Sequence, residues 1–251
     1  MKATFRLKNS KAGKTALILG NGPSLDKLNP KKISKEVDDI FVVNNFYKLQ
    51  IASGIRPTYY VLSDPTSFFS VGQMSMDNKE LVDYLESIGC NLILPHHVSE
   101  NFLPMNTKIY FDDRDNFLFN RNIDPTKPRG YISVTLYKAI AMACYLGYSR
   151  IYILGLDNTE FYGYEGAADN RLMFNSTSYA QSNPAKERDR EKLVAAYNGL
   201  TYEYSIAGRM QAYAYLFGDL ELFPKTIIRM LDQYSLIDTF VKETDHPLIV
   251  H

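Results

Sequence analysis

Residues 20–24 read Gly-Asn-Gly-Pro-Ser and follow directly on the apolar run Ala16-Leu17-Ile18-Leu19. Residue types in that order can do chemistry. Gly20 and Gly22 permit positive φ and close backbone approach of a ligand, Pro23 presets φ for a first helical turn, and Asn21 or Ser24 can cap exposed amides. Such a loop can hold an anion or a nucleotide on backbone N–H groups at a helix start. It is neither a Walker loop, which needs its lysine, nor the G-x-G-x-x-G of dinucleotide folds, and a plain strand-to-helix turn is the competing reading.

Further polar residues end other apolar runs: Asn44-Asn45, Ser63-Asp64, His96-His97 and Gly155-Leu156-Asp157. Asn and Asp make turns, which accounts for each of these singly. Their joint placement fits better with one sheet whose strands end on a common rim, where open α/β sheets bind ligands. Asp112, Asp113 and Asp115 in "YFDDRDNF" are spaced to offer oxygens to one hard cation. A solvated acidic turn partly compensated by Arg114 is the favoured reading, so no metal is assigned. No Ser-His-Asp order, nucleophile elbow or Cys-His pair is visible. Cys90 and Cys144 sit in apolar surroundings without C-x-x-C spacing, as reduced buried thiols of the cytosol would.

The elements that must position these residues alternate between short β-rich runs and amphipathic helices. Strands are expected over Thr15–Gly20, Ile40–Asn44, Thr58–Ser63, Asn91–Pro95, Lys108–Phe111 and Arg150–Gly155. "DNKELVDYLESIG" carries Leu81, Val82, Leu85 and Ile88 at helical spacing and stops at Gly89; "SVTLYKAIAMACYLGY" is the strongest helix, with small residues for close packing on a sheet. The fold class is therefore α/β, a single doubly wound, mostly parallel, Rossmann-like sheet. Three parts are expected: a nucleotide-binding core over 1–157, a polar, aromatic-bearing lid or binding segment over 158–192, and a helical part over 193–251 that completes the same domain. Helices are expected over Ile206–Phe217 and Lys225–Leu231, with "DLELF" between them as a last strand.

Composition narrows the partners. Lys plus Arg and Asp plus Glu are 28 each in 251 residues, so no net field draws nucleic acid or an acidic membrane face. No run approaches a membrane span and the basic N-terminus lacks an apolar signal region, which points to a soluble cytoplasmic protein. The 19 tyrosines supply amphipathic hydroxyl-bearing surface of the type used against sugars and nucleotides, although filling the core boundary explains most of them.

"LILGNGPSL", "FVVNNFY" and "SVTLYKAIAMACYLGYSRIYILGLDNTEFYGYEG" together resemble the small bacterial CMP-sialic-acid-dependent sialyltransferases of glycosyltransferase family 42, over roughly residues 15–64 and 129–164. The opening motif also resembles a wider group of GPSL-motif proteins, including flagellin nonulosonic-acid transferases and archaeal-type hydroxymethyl-dihydropterin diphosphokinases. The sialyltransferase resemblance implies a GT-A-type variant of the fold and an inverting transfer of sialic acid, a related nonulosonate or Kdo from a CMP-activated donor. The acceptor would be a cell-surface glycan, as in lipopolysaccharide or capsule biosynthesis. No cofactor is implied beyond the CMP-sugar itself, and no more than peripheral contact with the inner membrane face; a homo-oligomer is allowed.

The resemblance implies nucleotide contacts from Gly20, Asn21, Gly22, Ser24, Asn44, Asp64, Arg129, Ser133 and Thr135. It places Asp157 at the active centre, followed in the family by a tyrosine that assists the departing phosphate. Here Thr159 has that spacing, with Phe161, Tyr162 and Tyr164 just after, and Tyr162 takes the role. The family's general base is a lid-side histidine, but no histidine lies between His97 and His246. The base therefore falls to His96 or His97, with His97 preferred, to Asp157, or to Glu160, Glu165 or Asp169. The alternative function is a diphosphokinase-like nucleotide enzyme on the same loop, or an inactive nucleotide-sugar-binding relative.

Overall fold

The computed structural model describes residues 6–63, 68–70, 73–74, 78–112, 124–128, 135–158, 164–166, 172–174, 226–237 and 239–250. Its strands are β1 (Thr15–Leu19), β2 (Asp39–Val43), β3 (Tyr59–Val61), β4 (Phe69–Ser70), β5 (Gln73–Met74), β6 (Asn91–Pro95), β7 (Lys108–Phe111), β8 (Arg150–Leu154), β9 (Tyr164–Gly166), β10 (Leu172–Phe174), β11 (Ile227–Met230) and β12 (Val241–Lys242). The α-helices are α1 (Ile33–Glu36), α2 (Lys79–Ile88) and α3 (Thr135–Leu146).

Eight strands form one sheet in the order β12-β11-β8-β1-β2-β3-β6-β7, and every pair in it is parallel. Parallel strands need cover on both faces, and β1 shows how the sequence supplies it. Ala16 and Ile18 face one core, shared with α3, Phe41, Tyr59 and Tyr148; Leu17 and Leu19 face the other, shared with Leu81 and Leu85 of α2. These four side chains of β1 are fully buried. Fully burying one such leucine or isoleucine is worth about 1.5–3 kcal/mol, so a polar substitution at Leu17 or at Ile18 would strike the core that it faces. The small residues Ala139, Ala141 and Ala143 of α3 let its backbone lie close over β1, β2 and β3.

The six strands expected from β-rich runs are all present, and those over Asn91–Pro95 and Lys108–Phe111 have the expected bounds. Helix α2 ends at Gly89, whose φ of 60° lets its N–H return to Leu85 O. One element differs from expectation. The segment read as a helix over Lys225–Leu231 contains strand β11, which pairs with β8 from Ile227↔Arg150 to Met230↔Ile153. The described C-terminal residues thus carry strands: β11 and β12 extend the sheet beyond β8. The backbone groups of β11 are satisfied by the open edge of β8, and that pairing overrides the helical spacing of the apolar residues. The expected helix over Ile206–Phe217, the "DLELF" strand and nearly all of the 158–192 lid lie outside the described residues.

From β1 the chain winds outward through β2, β3, β6 and β7, then returns to β8 on the other side of β1 and continues to β11 and β12. The winding direction therefore reverses between β1 and β8. Ligands of open α/β sheets bind in the crevice outside the carboxyl ends of the strands at such a reversal.

Candidate functional site at the sheet reversal

The Gly-Asn-Gly-Pro-Ser loop lies at this reversal, fastened to the end of β8. Gly20 N–H donates to Leu154 O at 2.8 Å and Gly22 N–H to Gly155 O at 3.0 Å. Gly155 N–H donates to Ser24 Oγ at 2.9 Å, and Ser24 N–H donates to Asp157 Oδ1 at 3.1 Å. The glycines of the loop are required for close approach to protein rather than for positive φ. A Cβ on Gly22 would collide with the Asp157 carboxylate, and one on Gly20 with Gly155 O. Positive φ belongs instead to Gly155, at 79°. After the loop comes a short 3-10 turn, Pro23–Lys27, with Pro23 at its start.

Asn21 and Asn44 stand side by side over the ends of β1 and β2. Asn21 Nδ2 donates to Val43 O at 3.3 Å, and Asn44 Nδ2 donates to Thr135 Oγ1 at 2.9 Å. Thr135 Oγ1 in turn lies 2.6 Å from Ser63 Oγ, so one hydroxyl links the ends of β2 and β3 to the first turn of α3. Asn44 has φ 45°, a left-handed conformation uncommon outside glycine that asparagine tolerates best. It is held there by Tyr60, whose hydroxyl donates to Asn44 O at 2.6 Å and accepts the Tyr47 N–H at 3.1 Å. Burial pushes the Tyr60 phenol well above its ordinary value, so it stays a neutral donor.

Both asparagines leave a buried carbonyl oxygen without a hydrogen bond, and so does Asn158, at φ 56° just past β8. An unsatisfied buried polar atom costs about 1–3 kcal/mol, and three of them around one rim mark a surface shaped to receive hydrogen-bond donors. The base and ribose of a nucleotide present such donors. Sequence reading named Asn21 and Asn44 but neither Asn158 nor Tyr60; the asparagine that closes Gly155-Leu156-Asp157-Asn158 after β8 was the available signal for Asn158.

Asp157 is 4% exposed. Burial, together with the neighbouring Asp232 carboxyl, pushes it up to about 7 against the lowering effect of Ser24. Asp232 itself is 2% exposed and accepts a hydrogen bond from Lys27 Nζ at 3.0 Å. Asp157 thus anchors the loop beneath Gly22, and the Asp232–Lys27 pair adjoins it, a relationship no sequence spacing displays.

The structure therefore brings together Gly20, Asn21, Gly22, Ser24, Asn44, Thr135 and Asp157. Asp64, Arg129, Ser133 and Tyr162 lie outside the described residues. His97 sits on the same rim after β6, exposed, and three strands from β1, which is about 14 Å at the usual strand spacing. His96 Nδ1 is 3.8 Å from Asp112 Oδ1. Asp112 is not part of a solvated turn: it is 3% exposed, and its N–H donates to Pro125 O at 2.7 Å. Its position at the buried end of β7 explains the difference, while Asp113 and Asp115 lie outside the described residues. Among the described residues no three His, Cys, Asp or Glu side chains gather as metal ligands, and no helix is long and apolar enough to cross a membrane. Cys90 and Cys144 are free and buried, and burial pushes each thiol up to about 12.

A doubly wound parallel sheet with a glycine loop at its reversal defines the open α/β class of architecture, whose ligands lie at the carboxyl ends of the strands. The chain belongs to the MptE-like family, whose model, described as 6-hydroxymethylpterin diphosphokinase MptE-like, matches residues 2–160. Among solved structures it is similar to the sialyltransferase CstII from Campylobacter jejuni in complex with the substrate analogue CMP-3FNeuAc. That match has 17% identity, covers 95% of this chain and 89% of that one, and has a TM-score of 0.52. The monofunctional α-2,3-sialyltransferase Cst-I from Campylobacter jejuni matches at 19% identity over 94% of this chain and 80% of that one, TM-score 0.52. A CST-II variant in complex with CMP matches at 17% over 91% and 86%, TM-score 0.55. At these identities the shared property is the fold. No curated protein matches the chain in sequence.

Proposed function

We propose that this protein is an inverting glycosyltransferase that moves sialic acid or a related keto-sugar acid from a CMP-activated donor to a glycan acceptor. The observation that carries the reading is the pair of orphaned carbonyls on Asn21 and Asn44, over adjacent strand ends at the sheet reversal. Neutral amides there read base and ribose without adding charge. The similarity in fold to sialyltransferases solved with CMP and with CMP-3FNeuAc supports the same choice of nucleotide.

In this reading Gly20, Gly22 and Ser24 shape the loop under the donor, and Asn44 with Thr135 presents the second amide. Arg129, Ser133 and Asp64 complete the nucleotide contacts. The acceptor hydroxyl oxygen forms a bond to the anomeric carbon as the bond from that carbon to the phosphate oxygen breaks, and CMP leaves. Tyr162 donates to the developing charge on the phosphate, since a preorganised donor there is worth most in the transition state. Asp157 is committed to the Ser24 amide and buried, which makes it a support for the loop. His97, exposed on the rim, takes the acceptor proton.

A donor screen by thermal unfolding tests the reading. A nucleotide sugar at 100 times its Kd should stabilise the protein by about 2.7 kcal/mol. CMP and CMP-keto-sugars should stabilise, and the stabilising donor should be consumed with release of CMP when glycan acceptors are added. A second reading is favoured by the family match: a diphosphokinase-type transfer of a diphosphate group from a nucleoside triphosphate on the same loop. Stabilisation by ATP with Mg²⁺ and none by CMP or CMP-sugars would select it.

A further inference from the structure

The 3-10 turn Pro23–Lys27 that carries the glycine loop is held at both of its ends by carboxyl groups from other strand ends. At its start, Ser24 N–H donates to Asp157 Oδ1 at 3.1 Å; at its end, Lys27 Nζ donates to Asp232 Oδ1 at 3.0 Å. Asp157 follows β8 and Asp232 follows β11, neighbouring parallel strands of the sheet. The chain after Asp232 folds onto the chain around Asp157, with Ser235 Oγ donating to Leu156 O at 2.6 Å and Leu236 N–H to Asp157 O at 2.9 Å.

The charges at this clamp do not balance if every group is ionised. Asp157 and Asp232 are both buried and interact with one another, while Lys27 supplies one cation and the Ser24 amide one neutral donor. Asp26 of the same turn is exposed, and the Tyr234 ring lies against Lys27 Nζ at 4.8 Å from its centroid. Asp157 Oδ2 is buried and accepts no hydrogen bond. One proton held between the two carboxyls removes the excess charge. Two adjacent carboxylates share a proton for this reason wherever they are kept from water.

We propose that Asp232 is a positioning residue for the nucleotide loop: with one proton shared between it and Asp157, and with Lys27 paired to it, it closes a clamp on both ends of the turn that follows Gly-Asn-Gly. The inference rests on the reading of that loop as the nucleotide site. Loss of the shared proton sets two carboxylates against each other under Gly22 and loosens the turn, so nucleotide affinity falls on the alkaline side. Burial and the Asp232 charge, both raising Asp157, agree with a proton retained towards neutrality.

Two measurements test this, one of which needs no nucleotide. In the apo protein labelled with ¹³C at the aspartate side-chain carboxyl, the resonance that vanishes in Asp157→Asn should titrate near neutrality. Asp232→Asn should lower that midpoint by roughly one pH unit or more, because an amide donor replaces a negative neighbour. Lys27→Met should raise the upper midpoint of the pair, because the compensating cation is gone. If Asp232→Asn does not fold, Asp232→Ser carries the same expectation. An Asp157 midpoint unmoved in the Asp232 and Lys27 variants overturns the shared proton.

Calorimetric CMP affinity across about pH 5 to 9 is the second measurement. Wild type should weaken several-fold above the upper midpoint, and Asp232→Asn should be flat. A pair that titrates as described with CMP affinity independent of pH overturns the positioning role. Absence of CMP binding at every pH overturns the nucleotide reading on which the role rests, and the carbon resonances still judge the pair.

Discussion

Asn44 Nδ2 donates to Thr135 Oγ1 at 2.9 Å, so the residue that follows β2 is tied to the first residue of α3. The tie commits the amide nitrogen to the protein and leaves the carbonyl oxygen for something else. Asn21 is arranged the same way, its nitrogen given to Val43 O and its oxygen buried without a partner. If both oxygens accept from a nucleotide, Asn21→Ala and Asn44→Ala should each weaken CMP binding by about 0.5–1.5 kcal/mol, the value of a neutral hydrogen bond. Titration calorimetry on folded variants decides, and unchanged affinity in both would remove the assignment.

Gly22 is the sharpest steric test of the loop. Its Cβ position is occupied by the Asp157 carboxylate and lies 2.9 Å from Gly155 O, so an added methyl must push the loop off β8. Gly22→Ala should cost about 1–3 kcal/mol of stability, as overpacking does, and weaken CMP binding besides. Gly54, with open space around its Cβ position, provides the control: Gly54→Ala should do neither. Denaturant unfolding compares them, and equal stabilities would mean that the loop does not sit against Asp157.

Two buried carboxyls should shape stability against pH in opposite senses. Asp39 is raised by burial, but hydrogen bonds from Tyr148 and Lys11 outweigh this and hold it below its ordinary 3.8. Its contribution is complete above that value and is lost as pH falls through the depressed one. Asp157 is raised to about 7, so its contribution is complete below 3.8 and declines as pH rises towards 7. Urea unfolding should show Tyr148→Phe losing about 1.5–3 kcal/mol at neutral pH, the worth of a hydrogen bond to a charged group. Asp157→Asn should abolish the decline between pH 3.8 and about 7. A wild-type profile that rises through that interval contradicts the burial of Asp157 beside Asp232.

Most of the sheet was legible because central parallel strands must be apolar on both faces, and runs such as Ala16–Leu19 and Leu92–Leu94 have few other ways to be buried. The polar residues after them were legible as a rim for the same reason. β11 was not. Ile227, Ile228, Met230 and Leu231 recur at helical as well as strand spacing, and in a four-residue element only the partner strand decides. The role of Asp157 was half legible: its place at a strand end could be read, but not that its oxygens face Ser24 and Gly22, 133 residues away at Ser24. Asp232 carried no local signal, since its meaning comes from Lys27 and Asp157 across the sheet.

The proton acceptor is the assignment most exposed to experiment. The sialyltransferase resemblance expects a lid-side histidine that this chain lacks, and Asp157 is buried against the loop it supports. His97 is the exposed imidazole at a carboxyl strand end, while its neighbour His96 faces the buried Asp112. An imidazole that accepts a proton must be neutral, so the rate should show an acidic limb that belongs to this base. His97→Ala should flatten that acidic limb and lower kcat by roughly 10²–10⁴, the usual worth of a positioned base. His96→Ala should leave the limb in place. With CMP-sugar consumption as the assay, full activity and an unaltered profile in His97→Ala would exclude His97 and return the role to the carboxylates Glu160, Glu165 and Asp169.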